Sequence, residues 1–147
     1  MKKILIILSI FALTACQPSP GSGGSELSSD LHLDKWLFIN YWAVWCTPCK
    51  TEIPEFNEFA DKYKESVSVF AINYDGLEGE QLYDEATKLN INFFILEKDP
   101  SGSLGYPRPI VLPSTIIIDP RGNVRKTLIG PQTKDSLRAI LEDEASH

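Results

Sequence analysis

The sequence has 147 residues, 43% of them hydrophobic, which is the size and composition of one globular domain with its own core. Its formal net charge of −6 at pH 7 argues against nucleic acid as a partner, because binding to phosphate groups needs a surplus of lysine and arginine. Neither value distinguishes one fold from another, so the predicted elements have to do so.

The first predicted element is a secretory leader. Residues 1–3 carry two lysines, and residues 4–13 (ILIILSIFAL) form an apolar run about half as long as the ~20 residues that a membrane-spanning helix needs. The run ends in Leu13-Thr14-Ala15-Cys16, which resembles the lipoprotein box of bacteria. That resemblance implies a signal peptide over residues 1–15, cleavage before Cys16 and lipidation of the Cys16 sulfur. An ordinary secretory signal with an incidental cysteine is the alternative.

Lipidation of Cys16 predicts a protein held on a lipid membrane, because several acyl chains anchor stably where a single chain is marginal. Residues 17–30 (QPSPGSGGSELSSD) are rich in proline, glycine and serine and have no apolar periodicity, which is typical of a flexible tether. The folded domain is therefore expected over residues 31–147. We expect it on the periplasmic or extracytoplasmic side of the membrane, where disulfides persist.

The predicted domain starts with a strand, a helix and a second strand. Trp36–Trp42 (WLFINYW) and Val67–Asn73 (VSVFAIN) are nearly continuous apolar runs, as buried strands are. Residues 48–65 place apolar side chains on one face at helical spacing, and Pro54 inside this helix should kink it. The apolar face consists of Ile53, Phe56, Phe59, Ala60 and Tyr63.

A helix, a third strand and a hairpin come next. Glu80–Leu89 is predicted as the helix and Phe93–Leu96 as the strand. Thr115–Asp119 and Val124–Ile129 flank the turn sequence PRGN and are predicted to form the hairpin.

The last helix is expected to begin after Thr133, which is a favourable N-cap residue, and to end near Glu144. Strands alternate with helices early in the chain, and the hairpin and this helix follow. That order of elements predicts an α/β sandwich with a central mixed sheet.

Two cysteines, Cys46 and Cys49, stand close together in WAVWCTPCK. A structural zinc site needs four cysteine or histidine ligands, whereas the sequence offers no second CxxC and only His32 and His147 as histidines. We therefore expect no metal and no cofactor. A purely structural disulfide is also weakly supported, since closing so small a loop gains little entropy. A reversible redox pair is the interpretation that we favour.

The position of the pair gives the two sulfurs different chemistry. Cys46 falls at the start of the predicted helix, where free N–H groups and the helix dipole stabilise a thiolate and should lower the thiol pKa below ~8.5. Pro48 fits the first turn, where its missing N–H costs nothing. Cys49 follows on the same face of the helix. We expect Cys46 to attack a substrate disulfide and Cys49 to resolve the resulting mixed disulfide.

Three motifs narrow this interpretation: WAVWCTPCK, Glu52 in CKTEIP, and Leu112-Pro113-Ser114-Thr115 ahead of the TIIID strand. Together they resemble the thioredoxin superfamily and, within it, the TlpA/ResA family of membrane-tethered extracytoplasmic thiol–disulfide oxidoreductases. The resemblance covers about residues 36–144. It implies a thioredoxin-like fold in which helices flank the central mixed sheet, and residues 80–96 would form the αβ insertion of the TlpA type.

The resemblance also implies an activity and partners. The chain would reduce protein disulfides, and a membrane electron donor of the CcdA or DsbD type would supply the electrons. Substrates would be protein thiols and disulfides, among them the haem-binding thiols of apocytochrome c during cytochrome c maturation. We expect a monomer. The alternatives are an oxidase or isomerase on the same fold, a non-catalytic module that holds peptides, and copper delivery, for which the predicted core lacks a histidine.

Substrate-binding residues are implied in the same way. Pro113 would be a cis-proline packed against the disulfide, and Leu112 would offer backbone groups to an extended substrate. Glycines and prolines in residues 101–113 disfavour the family's helix there, so we expect a short turn and an irregular loop that influences substrate choice. An apolar rim is expected from Trp42, Trp45 and Tyr106.

Glu52 lies one turn beyond Cys49 on the same side of the helix. The resemblance implies a buried carboxylate with a raised pKa that carries protons during exchange. The alternative is a solvated acid that merely favours the helix dipole, a description that fits Glu55 better. Thioredoxins have a buried aspartate where this sequence has Asn40, which cannot titrate, so the acid–base role would fall on Glu52.

Overall fold

The computed structural model describes residues 34–146, so the predicted leader, Cys16 and tether lie outside it. The predicted helices and strands are all present, with bounds shifted by at most three residues, and α3 is an additional short helix. In chain order the elements are β1 (Trp36–Trp42), α1 (Thr47–Lys62), β2 (Val67–Asn73), α2 (Gly79–Lys88), β3 (Phe94–Leu96), α3 (Ser101–Leu104), β4 (Ser114–Ile118), β5 (Val124–Ile129) and α4 (Lys134–Ala145). Within residues 34–146, no helix combines the length and the apolar character that crossing a bilayer requires.

The five strands form one mixed sheet in the order β3-β2-β1-β4-β5. Strands β1, β2 and β3 pair in parallel, whereas β4 is antiparallel to both β1 and β5. Strand β1 lies in the centre because its nearly continuous apolar sequence can be buried on both faces. The predicted mixed sheet with flanking helices is therefore confirmed.

Side chains of β1 alternate between two apolar clusters, as the period of a strand requires. Phe38 and Trp42 belong to the cluster that contains the buried side of α1, together with residues of α2 and α4. Leu37, Ile39 and Tyr41 belong to the second cluster, on the opposite face of the sheet. Asn40 is two residues from both Phe38 and Trp42 along the strand, so its side chain lies on the same face, the one that α1 covers.

The start of α4 is fixed by the capping residue that the sequence predicts. Thr133 is the N-cap: its hydroxyl accepts a hydrogen bond from the backbone N–H of Ser136, and the Ser136 hydroxyl accepts one from the N–H of Thr133. This reciprocal arrangement satisfies two N–H groups at the helix start. It also fixes the segment before α4, including Gln132, close to α1.

Candidate active site

The two cysteines form a disulfide at the start of α1. Cys46 is the N-cap residue of the helix, and its Sγ accepts a hydrogen bond from the backbone N–H of Cys49 at 3.2 Å. Cys46 keeps 4% of its surface exposed, whereas Cys49 is fully buried. The predicted position of Cys46 at the helix N-terminus is confirmed, and any incoming group meets Cys46 before Cys49.

A shallow groove of about 430 Å³ runs past Cys46. The peptide bond between Leu112 and Pro113 is cis, as the resemblance implies, and Leu112 contributes to the groove wall. Most residues that line the groove are apolar, because one proline, two aromatic residues and three aliphatic residues meet there. The lining consists of Trp45, Cys46, Thr47, Pro48, Tyr74, Ile110, Val111 and Leu112.

Ile110 and Val111 are groove residues that the sequence reasoning missed. Their side chains are 90% and 48% exposed, an unusual position for two neighbouring aliphatic residues. The only signal in the sequence is that they stand together in a loop without apolar periodicity, directly before Leu112 and Pro113. Exposed aliphatic groups beside a reactive sulfur provide a surface on which an apolar segment can pack.

Trp45 also lines the groove and is 60% exposed. Its indole N–H donates to the carboxylate of Asp75, at 2.9 Å from the nearer oxygen, and its ring meets Tyr74 edge-on. The prediction that Trp42, Trp45 and Tyr106 form an apolar rim is wrong for two of the three residues. Trp42 is fully buried in the core, and Tyr106 is buried on the other face of the sheet, so neither lines the groove.

The irregular loop expected before Pro113 is present, and the carboxylate of Asp99 anchors it. Asp99 accepts hydrogen bonds from the hydroxyl of Tyr41 at 2.7 Å and from the guanidinium of Arg108 at 2.9 Å. Burial opposes ionisation of Asp99, but these bonds and those from Ser101 outweigh it and hold the Asp99 pKa below its usual value. Arg108 also donates to the backbone carbonyl of Tyr74 and stacks on its ring, which ties the loop to the groove wall.

Glu52 is buried, with 1% of its surface exposed. One carboxylate oxygen accepts a hydrogen bond from the side chain of Asn40 at 2.7 Å, and the other accepts one from the backbone N–H of Gln132 at 2.9 Å. Burial raises the pKa of Glu52 to about 7, although both hydrogen bonds act to lower it. Glu52 can therefore gain or lose a proton near neutral pH.

Glu55, which the sequence suggested to be a solvated acid, is not fully exposed to solvent. Its side chain is half-buried, and it accepts a hydrogen bond from the backbone N–H of Lys134 at 2.7 Å. Glu52 thus binds the N–H of Gln132 just before α4, and Glu55 binds the N–H of its first residue, Lys134, which lacks a partner within the helix. Helix α1 is held against α4 through these carboxylates.

Asn40 is fully buried, and within residues 34–146 only the nitrogen of its side-chain amide has hydrogen-bond partners. Its Nδ2 donates to Glu52 and, at 3.2 Å, to the hydroxyl of Thr115, while its Oδ1 has no partner among the described residues. The Asn40 amide therefore joins the helix that carries the cysteines to the strand that follows Pro113.

Comparison with known proteins agrees with this geometry. A model of the AhpC/TSA family matches residues 11–127. Sporulation thiol-disulfide oxidoreductase A of Bacillus subtilis is 31% identical over 71% of this chain and 66% of its own length, and the thiol-disulfide oxidoreductase ResA of Bacillus cereus is 32% identical over 74% and 62%. The chain therefore spans just under two thirds of the length of these relatives.

A solved structure confirms the thioredoxin-like fold. The pneumococcal exposed lipoprotein thioredoxin of Streptococcus pneumoniae superposes with a TM-score of 0.61 at 26% identity, covering 78% of this chain and 88% of that one. The relatives also confirm the resemblance to ResA-type proteins that the sequence motifs carry. With a family model matching most of its length, the chain belongs to the AhpC/TSA family.

Proposed function

We propose that this protein is a membrane-anchored thiol–disulfide oxidoreductase that reduces protein disulfides outside the cytoplasm. The observation that carries the proposal is the unequal exposure of the pair: Cys46 faces the apolar groove while Cys49 lies buried behind it. A sulfur that lines a groove at a helix N-terminus suits a nucleophile, and a fully buried neighbour suits a resolving thiol. The relatives named thiol-disulfide oxidoreductases support the same reaction class.

The reaction starts from the reduced pair. The thiolate of Cys46 attacks one sulfur of the substrate disulfide, the substrate S–S bond breaks, and the leaving thiolate takes up a proton. The thiolate of Cys49 then attacks the Cys46 sulfur of the mixed disulfide, the mixed disulfide breaks, and the second substrate sulfur leaves as a thiolate that takes up a proton. Two electrons have passed to the substrate, and the disulfide between Cys46 and Cys49 is the oxidised product.

Glu52 is proposed as the group that accepts the proton of Cys49 before the second attack. Cys49 precedes Glu52 by three residues on the buried side of α1, and a carboxyl with a pKa of about 7 exchanges protons readily at neutral pH. Because Cys49 and Glu52 are both buried, a neighbouring side chain is a suitable acceptor for this proton. The Asn40 amide, which donates a hydrogen bond to Glu52, does not titrate at this pH.

Substrate binding is assigned to the groove beside Cys46. Trp45 and Leu112 would hold an extended segment of the substrate across the groove, with Pro113 following Leu112 through the cis peptide bond. Apocytochrome c with oxidised haem-binding thiols is one substrate of this kind. Electrons would return to the pair from a membrane donor of the CcdA or DsbD type that docks on the same surface, and the protein would act as a monomer.

The anchor is assigned to Cys16, which precedes the described residues. The support is the sequence Leu13-Thr14-Ala15-Cys16 and the relative whose name describes an exposed lipoprotein. Metabolic labelling with a fatty acid tests it: wild type should take up label, and Cys16→Ala should not. Equal labelling of both would place the anchor elsewhere.

Trapping tests the function. A Cys49→Ser variant should accumulate mixed disulfides on Cys46, because the resolving thiol is missing, and mass spectrometry identifies the substrates. The matched control is Cys46→Ser, which should trap none. Equal trapping by both variants would overturn the assignment of Cys46 as nucleophile. Equilibration of the wild type with glutathione buffers measures the potential, and a value near that of strong oxidants would reverse the direction of electron flow.

A further inference from the structure

The amide of Asn40 makes hydrogen bonds through one end only. Its Nδ2 lies between the carboxylate of Glu52 and the hydroxyl of Thr115, and its Oδ1 is buried without a partner among the described residues. A buried polar atom without a partner is uncommon and costs about 1–3 kcal/mol. The orientation is nevertheless the correct one for an ionised Glu52, since a carboxylate can only accept hydrogen bonds.

Protonation of Glu52 changes what its neighbours must supply. A protonated carboxyl has one O–H that needs an acceptor, while its second oxygen still accepts. The oxygen that faces the backbone N–H of Gln132 meets a fixed donor, so the proton belongs on the oxygen that faces Asn40. There it would meet the N–H of Asn40, and two donors would oppose each other.

We propose that the Asn40 side chain is a positioning residue that rotates by half a turn when Glu52 changes its protonation state. Its Nδ2 faces the ionised carboxylate, and its Oδ1 faces the protonated one and accepts its hydrogen bond. This inference depends on the proposed function in one respect only, which is that thiol–disulfide exchange would use the proton of Glu52.

Thr115 makes both orientations possible. Its hydroxyl accepts a hydrogen bond from Nδ2 in the observed orientation and can donate one to Oδ1 after the turn, because a hydroxyl does either. One atom of the Asn40 amide lacks a partner in each orientation, so neither is strongly preferred on that account. An aspartate at position 40 could not do this, since it lacks a donor when ionised.

Charged groups on the neighbouring elements do not compete for this role. Strands β1 and β4 carry no ionisable side chain beside Asn40 on the face toward α1. On α1, Glu55 binds the backbone N–H of Lys134, and Glu58 pairs with the Lys134 ammonium. Asp135, also at the start of α4, is exposed and pairs with Arg138. Glu52 therefore has Asn40 and the Gln132 N–H as its polar contacts.

Nuclear magnetic resonance of the oxidised protein tests the inference without any substrate. The carboxyl carbon of Glu52 and the side-chain amide signals of Asn40 should titrate together, with one midpoint near pH 7. The nuclear Overhauser contacts between the Asn40 amide protons and Thr115 should weaken as Glu52 is protonated, which a fixed amide would not show. In Glu52→Gln the Asn40 signals should not change over the same pH range. A titrating Glu52 beside Asn40 amide signals that stay constant would overturn the inference. A failure of the protein to exchange thiols would leave this result untouched and would count against the proposed function alone.

Two variants with the same chemical change separate positioning from general structure. Asn40→Asp removes the donor and adds a like charge, so the Glu52 midpoint should rise by about one to three pH units. The matched control is Asn92→Asp on the exposed surface, which should leave the midpoint unchanged. An equal midpoint in Asn40→Asp and wild type would overturn the inference. Should Asn40→Asp fail to fold, the wild-type titration decides it.

Discussion

The amide of Asn40 and the carboxylate of Glu52 meet at 2.7 Å between the central strand and the helix that carries both cysteines. Both side chains are buried, so the ionised carboxylate loses its contact with solvent and accepts two hydrogen bonds from the protein instead. Burial outweighs those bonds and raises the Glu52 pKa to about 7. The folded protein consequently keeps a proton on Glu52 at pH values where the unfolded chain has lost it.

Glu52→Gln should remove a pH dependence of stability. An unfolded glutamate ionises near pH 4.5 and the folded Glu52 near pH 7, so its contribution to the free energy of unfolding is fully present below the first value and lost as the pH rises through the second. The loss amounts to about 3 kcal/mol. Denaturant titrations at about pH 4 and about pH 8 should show this loss in wild type but not in Glu52→Gln.

The matched control for that measurement is Glu80→Gln, which makes the same substitution at an exposed position of α2. It should retain the pH dependence of the wild type. An identical pH dependence in wild type and Glu52→Gln would show that Glu52 does not hold a proton in the folded state at neutral pH.

The rate of disulfide exchange should depend on the same proton. If Glu52 accepts the proton of Cys49, the rate of the resolving step in wild type rises as the pH passes through about 7. Glu52→Gln should lose this inflection and react slower by ~10²-fold, the lower end of what a positioned acid–base group contributes. Stopped-flow measurement of single turnovers across pH checks this. A Glu52→Gln profile that overlays the wild-type profile would return Glu52 to a structural role.

Much of this fold follows from local sequence. Trp36–Trp42 and Val67–Asn73 are strands with the predicted bounds, because an apolar run of that length can be satisfied only at the centre of a sheet. The helix start at Cys46 is likewise local, since Thr47 and Pro48 begin a turn whose cap is the cysteine itself. The two reactive sulfurs could therefore be placed from the sequence.

The surroundings of those sulfurs could not be placed in the same way. Helical spacing puts Glu52 on the side of Cys49, but its burial depends on Gln132, 80 residues further along the chain. The exposure of Ile110 depends on a loop that Asp99 anchors through Tyr41 on the central strand. Contacts over such separations follow from the whole fold, and a single sequence contains no local signal for them.

Ile110→Asp should weaken the reaction with protein substrates. Ile110 is 90% exposed and lines the groove beside Cys46, so an apolar substrate segment would bury it, and a carboxylate would lose that gain. We expect kcat/KM for a protein disulfide to fall by about tenfold, which corresponds to losing part of the free energy gained by burying one aliphatic side chain. The reaction with a small disulfide that does not reach the groove wall should be unchanged.

Ile129→Asp is the matched control, because Ile129 is also an exposed isoleucine, at 69%, but lies on β5 and does not line the groove. Its kcat/KM should equal that of the wild type. Equal losses in the two variants would mean that surface charge, and not groove contact, decides the rate.

Tyr41→Phe should loosen the loop that carries Ile110. The Tyr41 hydroxyl lies 2.7 Å from Asp99 and 3.0 Å from the hydroxyl of Tyr106, and its burial raises its pKa far above the usual value, so it remains a donor. Removing it leaves partly buried acceptors without a partner, which should lower the free energy of unfolding by about 1–3 kcal/mol. Denaturant titration measures this loss. Tyr83→Phe, at an exposed tyrosine of α2, should cost nothing, and equal stability of both variants would show that the Asp99 contacts do not hold the loop.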